Sequence, residues 1–245
     1  MIRDFAKRVY AIFDPLYLDE YRQQRYVFTR IQEKGLLSAF RGKRILEIGP
    51  KHGRDSRLLA ALEPEELVMI DLPEKKAMVN TWLAELPHPE RCRLILNNLQ
   101  YMSREELAAL GRFDLVWCTG VIYHVVEQIR FLRRLFHLCK NGGLAVIETE
   151  IAHGSFLQRR NVVELIWPGP FHGDSSVTHL PSPKAMMTWM QMVGFQEIGQ
   201  QPILSRHTRR TRAVFTGRRT ESSTPYDIYG GQSAGNDAYF AGDAT

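Results

Sequence analysis

The chain has 245 residues, is 44% hydrophobic and 24% charged, and carries a formal charge of +5 with a pI near 9.2. That size and composition suffice for one α/β domain with a full core, no apolar stretch is long enough to span a bilayer, and the opening MIRDFAKRVYAIFDPLYLDEYRQQRY lacks the apolar centre of a secretory signal. Cys92, Cys118 and Cys139 are odd in number and far apart, which argues against a disulfide framework or a zinc site, so a soluble chain in a reducing cytoplasm is expected.

In chain order, residues 1–40 read as a helical N-terminal cap, with Tyr26, Phe28, Ile31, Leu36 and Leu37 at partly helical spacing, closed by Arg41-Gly42-Lys43. Apolar strand-like runs follow at 44–48, 66–70, 92–96, 113–118 and 144–148, separated by longer stretches that can form helices, and this alternation predicts a parallel sheet. Residues 151–181, rich in His, Gly and Pro, interrupt the repeat as an irregular lid insertion. Ser182-Pro183 then supplies an N-cap and a first-turn proline for a helix over 184–192, with Gly194 as its stop. Two late strands, 195–198 and 212–216, complete a Rossmann-like α/β fold. It is a seven-stranded, mostly parallel sheet with helices on both faces, within a domain over 41–219. From Thr220 the composition turns to Ser, Gly, Asp and Ala with few aliphatics, which predicts a flexible C-terminal tail over 220–245.

The strand over 44–48 runs into Gly49-Pro50-Lys51-His52-Gly53 and then a helix start, a turn whose glycines let the backbone approach a ligand closely. One strand later, Leu67-Val68-Met69-Ile70-Asp71-Leu72 places a carboxylate where it can accept hydrogen bonds from a ribose diol. Read blandly, the pair is an ordinary strand-to-helix loop and a surface acid. A dinucleotide needs Gly-x-Gly-x-x-Gly amides on its pyrophosphate; counting from Gly49, Lys51 and Arg54 stand at the second and third positions, and Glu47 would repel a pyrophosphate while suiting an amino-bearing ligand.

These residues resemble the class I S-adenosylmethionine (SAM)-dependent methyltransferases. Four segments match in order over roughly residues 40–150: ILEIGPKHG the acid-x-Gly-x-Gly-x-Gly loop, VMIDL the ribose acid, GRFDLVWCTGVIYHV the fourth strand, and FLRRLFHLCKNGGLAVIETE the helix, turn and fifth strand. The resemblance implies that Glu47, Gly49 and Gly53 border the methionine moiety of SAM, with Lys51 where the middle glycine would be. It further implies that Asp71 binds the ribose, Leu72 flanks the adenine, Asn98 and Leu99 lie beside the adenine amino group, and Thr119 and Gly120 line the pocket floor.

On the acceptor side, methyl transfer needs alignment and, for a hydroxyl, a base. His124, just past the fourth strand, is the best-placed base; the bland alternative is that Tyr123-His124 packs and caps the following helix. The lid offers His153, Arg159, Arg160, Trp167, His172, Asp174 and His179 over the pocket. His172 and His179 are further candidate catalytic groups, and Arg159, Trp167 and Asp174 candidate substrate contacts. His172, Asp174 and His179 lack a defined ligand spacing, so no metal is assigned.

Over roughly residues 112–219 the chain is also similar to the tRNA wobble-uridine carboxymethyltransferases. That similarity implies that Tyr123 and Arg212 match the tyrosine and arginine that hold the carboxylate of carboxy-SAM. The Trp- and Lys-bearing segment of that family has no counterpart beyond Arg22 and Arg25, so the similarity reads as a shared scaffold with ordinary SAM as cofactor. Arg206, Arg209, Arg210, Arg212, Arg218 and Arg219 crowd one stretch with only Phe215 as an aromatic, which reads as a solvated basic edge before an RNA footprint. Three readings stand. The first is a methyltransferase acting on an oxygen, less readily a nitrogen, of a small polar metabolite such as a sugar or natural-product intermediate. The others are a tRNA-modifying (carboxy)methyltransferase and a catalytically silent SAM-binding scaffold, the last motivated by Lys51.

Overall fold

The computed structural model describes residues 37–171, 173–202 and 212–223. The expected N-terminal cap before Leu37, His172, Arg206, Arg209, Arg210 and the tail beyond Ser223 lie outside them. Strands β1 (Arg44–Ile48), β2 (Glu66–Asp71), β3 (Cys92–Leu96), β4 (Phe113–Thr119), β5 (Cys139–Glu150), β8 (Gln196–Pro202) and β9 (Arg212–Arg218) form one sheet in the order β3-β2-β1-β4-β5-β9-β8. The first five are parallel, whereas β9 runs antiparallel to both β5 and β8. This is the seven-stranded, Rossmann-like arrangement expected, with the late hairpin longer than predicted on both strands.

Successive residues of β1, β2 and β4 enter different cores because side chains alternate across a strand, which is why these runs carry apolar residues at consecutive positions. Leu46, Val68 and Val116 join one core with α3 (Arg104–Leu110), α4 (Gln128–Leu138) and α6 (Pro183–Met192). Ile45, Leu67, Leu115 and Trp117 join the other with Leu59 and Ala60 of α1 (Arg54–Ala60), and with Val79 of α2 (Lys76–Asn80). The Ser182 hydroxyl accepts from the Ala185 amide at 3.0 Å, so the predicted cap and first-turn proline do start α6. Gly194 follows its end at φ 109°, where a Cβ would meet the Phe136 ring at 2.7 Å.

Residues 151–181 are more ordered in plan than the irregular lid expected. They hold the four-residue α5 (Ser155–Gln158) and a two-stranded antiparallel sheet of β6 (Val163–Leu165) and β7 (His179–Pro181). Short strands carrying a proline show no periodicity to read. Thr178 N–H donates to the Tyr123 carbonyl at 3.0 Å, fastening this insertion to the turn after β4. The described part of the basic stretch is structural: Arg218 donates to the Gly142 carbonyl at 3.0 Å, and Arg219 to the carbonyls of Phe136, His137 and Cys139 around the end of α4. The first residues of the expected tail, Thr220 to Ser223, form a turn hydrogen-bonded to Gln196. Among the described residues no helix is long and apolar enough to cross a membrane.

Candidate active site

The carboxyl ends of β1, β2, β4 and β5 carry the site. The loop after β1 departs from glycine where the sequence suggested a difficulty: Lys51 itself takes the left-handed backbone, at φ 43°, with Gly49 at 74° and Gly53 at 68°. Lys51 is held there from both sides. Its amide donates to Asp71 Oδ2 at 2.9 Å, and its carbonyl accepts from Trp82 Nε1 at 3.1 Å. Its side chain is exposed. The missing glycine is thus replaced by a clamp that offsets the strain of a left-handed non-glycine residue.

Gly53 is needed for packing as well as for its backbone angle, because a Cβ there would lie 2.3 to 2.7 Å from three atoms of the buried Trp82 indole. Gly49 is similarly confined, with Val121 Cγ2 at 2.6 Å from such a Cβ. Glu47, on β1, is 2% exposed, and its Oε2 has no hydrogen-bond partner. Burial, with Asp55 and Asp71 nearby, pushes its carboxyl well above the usual range. A buried carboxyl oxygen left unpaired is costly unless a ligand completes it, and a cationic ligand would also favour its ionised form. The α-ammonium group of a methionine moiety is such a ligand, so the residues present fit SAM.

Asp71 is 7% exposed; Oδ1 accepts from the Leu72 amide at 2.8 Å. Each carboxylate oxygen has a second acceptor direction, so the ribose contact remains possible while Asp71 staples the loop. Leu72 is 39% exposed, an apolar surface suited to the flank of a purine. Asn98 and Leu99 form the turn after β3: Asn98 Oδ1 accepts from the Gln100 amide at 3.0 Å, while Leu99 is buried and its carbonyl accepts from Arg134 at 2.6 Å.

Asp55, on which the sequence reading is silent, is bonded to Thr119 of the expected pocket floor. It lies in the first turn of α1, is 2% exposed, and accepts through Oδ2 from Trp117 Nε1 at 2.7 Å and Thr119 Oγ1 at 2.8 Å. Burial raises its carboxyl to about 6 against the opposing effect of those two donors. Gly120 follows Thr119 at φ 71° and donates its N–H to the Glu148 carbonyl at 3.1 Å.

Arg212, opening β9, is the centre of a second polar cluster. It pairs with both oxygens of Glu148, reaches Glu150 Oε1 at 2.7 Å, and stands 3.5 Å from the Tyr123 hydroxyl. Burial works against its charge, but Glu148 more than offsets that and holds the guanidinium firmly protonated. Burial also raises the Tyr123 phenol. Two carboxylates therefore surround one guanidinium.

His124 lies in the single 3-10 turn Ile122–His124, with its ring 4.2 Å from that of Tyr123. Burial holds its pKa below the usual histidine value, so it is neutral at pH 7. Its Nδ1 is 2.8 Å from Ser176 Oγ, and Ser176 Oγ is 2.5 Å from Asp174 Oδ1. Of the other candidates, His179 sits on β7 with Nδ1 2.8 Å from Thr178 Oγ1, while Arg159 and Trp167 are exposed on the insertion. The structure thus gathers Tyr123, His124, Asp174 and Arg212, together with Ser176.

A parallel sheet completed by an antiparallel hairpin, with a glycine-bearing loop after β1 and a buried aspartate ending β2, defines the fold of the SAM-dependent methyltransferases. The chain belongs to the methyltransferase-domain family, whose model matches residues 18–199. It is 27% identical over 192 residues to a tRNA U34 carboxymethyltransferase of Colwellia psychrerythraea, covering 75% of this chain and 53% of that protein. It is 32% identical over 95 residues to the namesake of Idiomarina loihiensis, covering 38% and 28%. The chain spans about half the length, or less, of these curated relatives. Among solved structures, the N-terminal domain of EvdMO1 with SAH (S-adenosylhomocysteine) bound is similar at a TM-score of 0.57 and 22% identity, covering 77% of this chain and 79% of that one. A Burkholderia thailandensis 1,6-didemethyltoxoflavin-N1-methyltransferase is similar at 0.59 and 16%, covering 89% and 87%.

Proposed function

We propose that this chain methylates a hydroxyl oxygen of a small polar metabolite, with His124 as general base. The observation that carries this reading is a partly buried imidazole just past the carboxyl end of β4, packed on the Tyr123 ring and 2.8 Å through Nδ1 from Ser176 Oγ of an insertion fastened to the same turn. SAM supplies an electrophilic methyl group on a sulfonium. Glu47, Asp71 and the clamped loop hold that cofactor, and Thr119 and Gly120 line its floor. His124 takes the proton that the acceptor oxygen loses as its new bond to carbon forms, while the old carbon–sulfur pair stays on sulfur. Arg212 is already matched by Glu148 and Glu150, which favours ordinary SAM over a cofactor bearing a further carboxylate.

A tRNA-modifying reading is favoured by one observation, the Tyr123–Arg212 contact together with the named relatives. The silent-scaffold reading, motivated by Lys51, is disfavoured by the glycine-like left-handed backbone that Lys51 adopts, and methyl transfer to any acceptor would remove it. The test is to incubate the protein with SAM and, separately, sugars, polyhydroxylated aglycones and bulk tRNA, reading SAH release and product mass by mass spectrometry. The expected result is a hydroxylated small molecule one methylene heavier. Turnover on tRNA alone, or absence of saturable SAH binding by calorimetry, overturns the reading.

A further inference from the structure

We infer that Ser176 and Asp174 are positioning residues that lock His124 in the tautomer with its proton on Nδ1, leaving the Nε2 lone pair as the base. This rests on the proposed role of His124, but its logic is a proton count. A serine hydroxyl has a single hydrogen to give. Asp174 Oδ1 already accepts the Ser176 backbone N–H at 2.8 Å and lies 2.5 Å from Ser176 Oγ. Those bonds from Ser176 hold Asp174 below the usual carboxylate range, so it is ionised and only accepts. The hydroxyl proton therefore points to Asp174. The 2.8 Å contact between Ser176 Oγ and His124 Nδ1 then has to be filled from the histidine side, by Nδ1–H.

Free neutral imidazole side chains favour the opposite tautomer, with the proton on Nε2, so the lock reverses an intrinsic preference. The insertion supplies the geometry. Val177 is 2% exposed and Thr178 N–H is bonded to the Tyr123 carbonyl, which pins the chain immediately after the exposed Ser176 to the turn that carries His124. The charged groups acting on the ring are Asp174, which favours its protonation, and Arg212 and Lys51, which oppose it. The base is thus completed by residues far away in the chain, as the sequence separation of 52 between Ser176 and His124 records.

The tautomer is readable without an acceptor. Nitrogen-15 NMR of the full chain at about pH 8, with the His124 signals assigned by loss in His124→Gln, should show a protonated Nδ1 and a pyridine-like Nε2. Ser176→Ala and Asp174→Ala should both move His124 mainly to the Nε2–H form. In the first the acceptor is lost, and in the second the serine hydroxyl is freed to donate to Nδ1; Ser176→Thr should restore the native signature. Calorimetry with SAH reports that each variant is folded. An Nε2–H tautomer in the unmodified protein, or an unchanged tautomer in folded Ser176→Ala, overturns the lock. Failure of the unmodified protein to bind SAH would instead strike the methyltransferase reading and leave the tautomer measurement standing.

Discussion

Replacing Gly53 with alanine tests the architecture of the loop most directly, because two separate penalties meet at that position. The first is backbone: a left-handed alanine costs ~1–2 kcal/mol in the folded state, partly offset by ~0.4–1 kcal/mol from the stiffer unfolded chain. The second is steric, since the new Cβ would fall 2.3 Å from Trp82 Cδ2. Trp82 is 5% exposed and its indole nitrogen is bonded to the Lys51 carbonyl, so it does not step aside freely. Overpacking of that kind costs ~1–3 kcal/mol. Gly142→Ala is the control: its φ is 79°, but nothing lies within 4 Å of an added Cβ. Urea denaturation should therefore place Gly53→Ala below Gly142→Ala by ~1–3 kcal/mol, the steric share alone. SAH affinity should fall only in Gly53→Ala, where displacement of Trp82 releases the Lys51 carbonyl. Equal destabilisation of the two variants would refute the argument that Trp82 defines this position.

Two further substitutions probe the buried charges. Asp55 has a folded pKa of about 6 against 3.8 when unperturbed, so its contribution favours folding at low pH and is lost as pH rises through about 6. Two units correspond to about 3 kcal/mol. Asp55→Asn keeps an acceptor for Trp117 and Thr119, and the stability of the native protein relative to this variant should rise by up to that amount between about pH 8 and pH 4 in paired urea melts. A flat difference would show that Asp55 titrates normally. Arg212→Met leaves Glu148 and Glu150 facing each other without their cation, a loss of ~3–5 kcal/mol by the same melts; less than about 1 kcal/mol would mean the cluster is solvated rather than buried.

The strands were legible because β1, β2 and β4 feed two cores and so carry apolar residues at consecutive positions, and α6 because serine, proline and glycine mark its ends. The β-hairpin was legible in existence but short in length, since Glu197, Gln200 and Gln201 carry no apolar pattern at this edge of the sheet. The place of Asp71 at the end of a strand could be read from the sequence, whereas its hold on Lys51 depends on a contact across 20 residues. Asp55 was passed over as one more acid at a helix start. A signal was nevertheless present, for Trp117 lies in a mostly apolar strand and its buried indole N–H requires an acceptor. Ser176 had no such signal, because a serine in a loop matters here only through the histidine brought against it.

The double engagement of Asp71 changes how its mutants must be interpreted. In a loop where glycine stood at the Lys51 position, removing the acid would subtract the proposed ribose contact and little else. Here the same substitution frees an amide that keeps a lysine in a backbone state it would otherwise leave, so ligand affinity and loop conformation would be lost together. A variant that restores glycine at residue 51 alongside the change at Asp71 would separate the two debts, with binding recovered only to the extent that the loop, rather than the ribose, had been the casualty.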